Sequence, residues 1–448
     1  MGNNTSAYHM PPGYSGMRTA IRSYQYLKDP IKFVSTNMAL FGGNYSARLP
    51  QYPNFIITQD AAFINHVLKD NHTNYHKSPL SSGRVAEYLG KGMLFTNGEA
   101  WLKQRRLAQP GFHREKIQAL YATVVKAIGE YIETMPTGSA VDVYPLLHQL
   151  AFNIVIKSLF DIDLSANTMQ ILGGNFSEIQ DFVIKDVNQP FRRPFYPITG
   201  SERKALRKSA EIKAIFRGLI HERIKLAEES ENNHKDLLDM LLQSTYEDTG
   251  LHMEEDQVID ELLVLMFAGH ETTANTLSWL LYLLSTSTEV LNKLKASIKQ
   301  TDILSSPKNE YLNAVINEGM RLYPAAWMTD RVALEDDHFG GYRYPKGTII
   351  ISFFYGAHRD KAYWPDADSF NPDRFLDETG KAKKYKNYFP FGAGPRMCIG
   401  NNFAMAEMAF FLHAFLQKFT ITNTGQTPKT KPLLTLRPDK VVLGLRRV

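Results

Sequence analysis

Cys398 is the only cysteine among 448 residues, and it stands in the run Phe391-Gly392-Ala393-Gly394-Pro395-Arg396-Met397-Cys398-Ile399-Gly400. One thiol excludes a disulfide within the chain and every zinc or iron–sulfur site that needs several cysteines. A single thiolate can still bind one heme iron. The glycines let the backbone turn tightly and leave room for a flat cofactor. Apolar residues recur at helical spacing just downstream: Phe403, Ala406, Met408, Phe411, Leu412 and Phe415. The thiol therefore precedes a helix N-terminus, where free N–H groups and the helix dipole favour its ionised form. A dinucleotide loop fits poorly, because Met397 occupies the third glycine position of G-x-G-x-x-G.

The ordinary reading of a lone cysteine is a buried structural residue. Here the loop outweighs it. Phe391, Gly394, Arg396, Cys398 and Gly400 resemble, in type and spacing, the heme loop of the cytochrome P450 family. The resemblance implies that Cys398 is the axial thiolate of heme b (iron protoporphyrin IX), with Phe391, Gly394, Arg396 and Gly400 shaping the loop around it.

Three further motifs follow the family's order. Ala268-Gly269-His270-Glu271-Thr272-Thr273 interrupts the apolar run 262–284. Gly269 leaves a gap beside a ligand, with Ala268 next to it facing the cofactor in relatives. Thr272 can bond a carbonyl one turn back and open the helix. Glu271 is a candidate proton relay. The pair is similar to the family's acid–alcohol pair and suits O–O bond cleavage, where protons must arrive while bulk water stays out. Glu318 and Arg321 share a helix face. With Arg374 they resemble the family's Glu-x-x-Arg helix and its partner arginine, although Asp373 departs from the more frequent Glu. Trp101 and Arg105 fit the family's Trp-x-x-x-Arg helix. The resemblance sets Arg105, Arg331 and Arg396 against the heme propionates, which a planar and always charged guanidinium suits.

These residues need elements to hold them. Residues 254–286 carry the longest helical pattern, apolar on most faces. A membrane helix is conceivable over 262–284, but the polar centre favours a helix buried inside a large protein. Residues 52–58 read as a strand and 61–68 as a short helix. Residues 80–98 read as a loop with one helical turn and 100–107 as the start of a helix. Residues 140–245 read as helices broken at Pro190, Pro194 and Pro197. Strand-like runs fall at 348–354 and in a terminal pair near 433–436 and 441–445. Residues 359–397 form a long irregular segment, unusual enough to hint at function. The expected fold is mainly α with small β-sheets, a cytochrome P450-like fold with a long central helix and the heme buried between helices. One catalytic domain spans 1–448, with 1–40 set apart as an N-terminal segment.

Hydrophobic content of 44%, charged content of 22% and a net charge of +5 match an ordinary globular chain and give no sign of nucleic-acid binding. The first 50 residues hold no membrane span and no secretory pattern. This is similar to the soluble bacterial type and implies a cytoplasmic protein. Met1-Gly2-Asn3-Asn4-Thr5-Ser6 matches a myristoylation pattern, for which chance is the better explanation.

The resemblance implies a monooxygenase that inserts one atom of dioxygen into a hydrophobic substrate, such as a fatty acid, carotenoid or terpenoid-like molecule. Pocket candidates are Met93–Phe95, Phe267, Ala268, Ala325–Met328 and Leu434, with Arg48 and Tyr52 near the entrance for a substrate carboxylate. No flavin, nicotinamide or iron–sulfur motif is visible, so a separate ferredoxin or flavodoxin-type donor is implied. Lys381, Lys383, Lys384 and Lys386 form a basic run that could meet an acidic partner, although a solvated loop is the commoner meaning. Two other readings stay open. A peroxide-driven peroxygenase usually replaces the acid–alcohol pair. A non-catalytic heme-thiolate sensor or carrier would want an output domain, and none is recognisable.

Overall fold

The apolar stretch 262–284 forms the middle of one 32-residue helix, Glu255–Thr286. Glu255 and Asp256 lie in its first turn, where carboxylates complement the helix dipole. At 1.5 Å per residue it runs about 48 Å through the molecule. Most of its side chains are buried, as a helix apolar on nearly all faces requires. The computed structural model describes residues 8–14, 22, 24–49, 52–160, 164–229, 236–246 and 249–448. The Met1–Ser6 pattern lies outside them.

Helices Val143–Phe160, Ser201–Glu229, Glu310–Leu322 and Asn401–Lys418 pack on the long helix. The architecture is mainly α with small sheets, as the sequence predicts. Among the described residues, one helix, Val143–Phe160, is long and apolar enough to cross a membrane. It is not the one weighed above for that role. It packs lengthwise against the long helix, and eleven of its side chains are buried there and in the core.

The largest sheet has five strands in the order Asn44–Leu49, Tyr52–Thr58, Ile349–Ser352, Thr329–Ala333, Tyr75–His76. Phe55-Ile56-Ile57 pairs in parallel with Ile349-Ile350-Ile351 at its centre. Such branched apolar runs suit a strand covered on both faces. Val442–Arg447 lies between Gly138–Asp142 and Phe419–Asn423, antiparallel to both. The two terminal strand-like runs therefore fall in different sheets. Leu436–Pro438 pairs with Thr430–Pro432, and residues 433–435 form the turn of that hairpin. Residues 79–89 hold two short helices, Pro79–Ser82 and Val85–Leu89, where a loop with a single helical turn was expected. The 359–397 segment is irregular as predicted, with only short turns at Pro372–Phe375 and Gly394–Arg396.

That irregular segment is anchored by charge. Arg321 donates from Nε and Nη2 to both oxygens of Glu318, at 2.7 and 2.8 Å. Arg374 Nε donates to Glu318 Oε1 at 3.0 Å. Arg321 also donates to the carbonyls of His358, Ala367 and Ser369. Glu318 and Arg321 have no exposed surface, so neither charge can fall back on water. Removing one partner of such a pair leaves the other uncompensated and costs about 3–5 kcal/mol. Glu318→Ala should lower the urea stability of the holoprotein by that order. A loss below about 1 kcal/mol, the level of an exposed ion pair, would mean that the three carbonyls satisfy Arg321 without Glu318.

Candidate active site

The Cys398 loop closes on itself before the helix begins. The Cys398 N–H donates to the Phe391 carbonyl at 2.9 Å, and the Met397 N–H to the Gly394 carbonyl at 3.0 Å. Gly394 adopts φ +69°, and a Cβ there would overlap the Leu68 carbonyl. Only glycine lets this turn lie on the 66–70 backbone. Gly400 caps helix Asn401–Lys418, so the thiol sits just ahead of the first turn, as expected. Cys398 keeps accessible surface, yet it lies deep enough for burial to push its thiol up. A group both accessible and deep lines a hollow. The Gly400 N–H and the Arg105 guanidinium pull the thiol back toward ionisation.

Cations gather at one edge of the hollow. Arg396 stacks 4.3 Å over the Trp101 ring and donates to the Thr96 carbonyl (2.9 Å) and to Asn97 Oδ1 (3.0 Å). Arg331 Nη1 donates to the Asp330 carbonyl at 2.7 Å. Burial lowers Arg331 to about 10, against the pull of Asp330. Burial and then Arg331 lower Arg396 to about 9. Lys77 falls to about 7, through burial and then Arg331, with Asp330 opposing. Burial and Arg396 lower His76. The buried Nε of Arg105 has no hydrogen-bond partner. These groups repel one another around the single carboxylate of Asp330, whose side chain is already bonded to the Ser78 hydroxyl. A flat group with two carboxylates at one edge and a metal over Cys398 fits this arrangement. Lys77, His76 and Asn97 escaped the sequence reading. Nothing in Tyr75-His76-Lys77-Ser78 marks them locally, because the neighbours that matter come from residues 330–331 and 396.

On the long helix, Leu265, Ala268, Gly269 and Thr272 keep partial exposure within a buried stretch. Their spacing puts them on one face, which therefore borders open space. The Thr272 hydroxyl donates to the Ala268 carbonyl at 2.8 Å, the bond foreseen from the sequence. Gly269 also serves a packing role. A Cβ there would come 3.0 Å from Val155 Cγ2, so its missing side chain allows close packing of helix Val143–Phe160. Glu271 lies about 100° around the helix from Thr272. It is buried: Gln180 Nε2 donates to Oε2 at 3.0 Å and Thr435 Oγ1 to Oε1 at 2.7 Å. Asn275 Nδ2 donates to the same Thr435 hydroxyl. Burial raises the Glu271 carboxyl, with Thr435 and Arg437 opposing. Gln180, Asn275 and Thr435 were also missed, being distant in sequence and common in type.

Met93, Phe95 and Phe267 share one apolar cluster with Leu94, Leu265, Ile399, Phe403 and Leu434. That cluster joins the loop at 93–95 to the helix face and to the cysteine helix. Ala325–Met328 does not all join that cluster. Trp327 and Met328 pack instead with Phe55, Ile349 and Phe353 near the large sheet, because the Trp327 indole N–H donates to the Leu433 carbonyl at 3.0 Å. Arg48 is exposed. The Tyr52 side chain lies outside the described residues.

A family model described as Cytochrome P450 matches residues 20–444. The chain is 29% identical over 344 residues to cyclooctat-9-en-7-ol 5-monooxygenase of Streptomyces melanosporofaciens, covering 75% of this chain and 74% of that protein. It is 30% identical over 369 residues to cyclooctatin synthase of the same organism, covering 79% and 78%. It is 30% identical over 383 residues to 11-oxo-beta-amyrin 30-oxidase of Medicago truncatula, covering 79% and 71%. The cysteine loop, the Glu271–Thr272 helix and the Glu318–Arg321–Arg374 lock all fall within the matched span, and the chain belongs to the cytochrome P450 family of heme-thiolate monooxygenases.

Proposed function

We propose that the chain hydroxylates a hydrocarbon-rich, terpenoid-like or carotenoid-like molecule, using dioxygen and two electrons from a separate ferredoxin or flavodoxin-type donor. Residues 1–448 act as one catalytic unit in the cytoplasm. The overall reaction takes a C–H bond, dioxygen, two electrons and two protons to a C–OH group and water. Heme, when bound, would supply the oxygen activation, and Cys398 would hold its iron. The substrate class rests on the apolar side chains around the helix face and on the names of the relatives, which print cyclooctat-9-en-7-ol and 11-oxo-beta-amyrin as what those enzymes act on.

The chain's own residues have distinct tasks in this reading. Phe391, Gly394 and Gly400 shape the loop that presents Cys398, whose thiolate would hold the heme iron. Trp101, Arg105, Arg331, Arg396 and Lys77 hold the two propionates, which relieves the mutual repulsion of buried cations. Ala268 borders the cofactor face. Thr272 presents its oxygen at that face while its proton engages the Ala268 carbonyl, and this bond is the observation that carries the proposal. Glu271 is the proton relay of this reading, buried away from bulk water between Gln180 and Thr435. The basic run at Lys381–Lys386 is exposed at all four lysines, as a docking surface for an acidic electron donor requires.

Three measurements test this. The reduced protein under carbon monoxide should show the strongly red-shifted Soret band of a thiolate ligand, and Cys398→Ala should lose it. A Soret band typical of a histidine ligand in the native protein would end the reading. Thr272→Ala should keep consuming reducing equivalents while coupled product falls by about 10²-fold, the lower end of acid–base assistance. Unchanged coupling would remove Thr272 from oxygen chemistry. Arg331→Leu and Lys77→Leu should each speed heme transfer to excess apomyoglobin by roughly tenfold, the worth of one charge-assisted bond of about 1.5 kcal/mol. An unchanged transfer rate would remove that residue from the propionate edge.

A further inference from the structure

The chain between helices Val85–Leu89 and Gly98–Ala108 crosses the long helix at Asp260 and Glu261. The Lys91 N–H donates to Asp260 Oδ2 at 2.7 Å. The Met93 N–H donates to both oxygens of Glu261, at 3.1 and 3.0 Å. Gln104 Nε2 donates to the Lys91 carbonyl at 3.2 Å. The approach needs a glycine on each side of Lys91. A Cβ at Gly90, which has φ +83°, would fall 2.7 Å from Asp260 Oδ1. One at Gly92 would fall 2.9 Å from the Asp260 carbonyl oxygen and 3.0 Å from Glu261 Oε2. Beyond this contact, Met93 and Phe95 are buried in the cluster that includes Ile259, Leu263 and Phe267.

We infer that Glu261 is a positioning residue for the substrate cavity: its grip on the Met93 N–H keeps Met93–Phe95 against the long helix as a movable wall, and release widens the cavity for bulkier hydrophobic molecules. The inference deepens the proposed function and rests on its reading of Met93–Phe95 as pocket wall. Glu261 has no exposed surface. Its remaining neighbour is Gln257, whose Nε2 donates to Oε1 at 2.9 Å. Of the charged groups around it, Asp260 is on the same helix, and Lys213 of helix Ser201–Glu229 is engaged by Asp260 at 2.7 Å. The Lys91 side chain is exposed, as is Glu87 on helix Val85–Leu89. Among the described residues, no cation pairs with Glu261.

Burial pushes the Glu261 carboxyl up to about 7, with Met93 and Gln257 opposing and Asp260 adding to the rise. Lifting the loop lets water reach the carboxylate and returns it toward its ordinary 4.5. The closed loop thus binds the proton more tightly than the open one. By linkage, closure is favoured at low pH, weakens as pH rises from about 4.5 to about 7, and is constant above that.

Amide exchange on the holoenzyme, read on peptides covering 90–96 and corrected for the intrinsic pH dependence, tests the latch. Wild-type protection should fall at least about tenfold between about pH 5 and pH 8, the effect of one pKa unit. Glu261→Gln, which cannot ionise, should stay level. Soret titration tests the wall, with clotrimazole as a bulky azole and imidazole as a small one. Glu261→Ala should bind clotrimazole at least about fivefold more tightly and imidazole within about twofold of wild type. Level wild-type exchange across this range overturns the latch. Exchange that responds while clotrimazole does not, or while both azoles shift by the same factor, overturns the wall and with it the pocket reading. If Glu261→Ala holds no heme, the comparison of wild type with Glu261→Gln decides, by exchange and by clotrimazole affinity at about pH 8, where the variant should bind more weakly than wild type.

Discussion

Charge held away from water is the constraint around which this molecule is organised. A thiol that must ionise lies at the end of a hollow, where burial opposes it and the Gly400 N–H and Arg105 favour it. At the hollow's edge, Lys77, Arg331 and Arg396 are all driven toward their neutral forms by burial, and Arg331 adds to the effect on the other two. Below, the Glu318–Arg321–Arg374 lock holds a segment that has almost no regular structure of its own. An isolated buried ion costs several kcal/mol. The structure keeps these charges only where a fixed partner, or a cofactor with the opposite charge, can meet them. Rigid geometry around the cofactor follows from that requirement.

The loop from Lys91 to Asn97 shows how the two sides of the hollow share support. At one end, Lys91 and Met93 are fixed by carboxylates of the long helix. At the other, Thr96 and Asn97 accept from Arg396, seated two residues before Cys398. Asn97 also exchanges bonds with the backbone of Lys77. A single short stretch of chain thus spans from the apolar wall to the cation edge. Displacing it at one end strains the other, so cavity shape and cofactor seating are mechanically coupled.

The parts of the site legible in the sequence were those written in consecutive residues. The cysteine loop, the Thr272–Ala268 bond and the long helix each depend on spacing within one element, and the structure reproduces them. The Glu318–Arg321 pair was legible for the same reason. What stayed hidden depends on contacts between distant segments. Lys77 matters because Arg331 and Arg396 arrive beside it, and Glu271 is held by Gln180 and Thr435 from two other elements. The packing of Gly269 on Val155 was hidden for the same reason, since Val155 is on another helix. The apolar strands Tyr52–Thr58 and Ile349–Ser352 were legible from their own runs, whereas the short strands and the pairing of all of them were not. Strands of three to six residues carry little periodicity, and their partners lie far away, as with Val442–Arg447.

That last strand sets a schedule for biosynthesis. Asp142 lies opposite Val442, 300 positions later, and Gly138–Asp142 is an edge strand with no other neighbour. A ribosome adding about 5–20 residues per second needs roughly 15–60 s to bridge that interval. Throughout it residues 138–142 lack the strand they pair with, and Cys398 is made within the same interval. Porphyrin capture therefore waits until the 138–142 strand has been without its partner for most of that time.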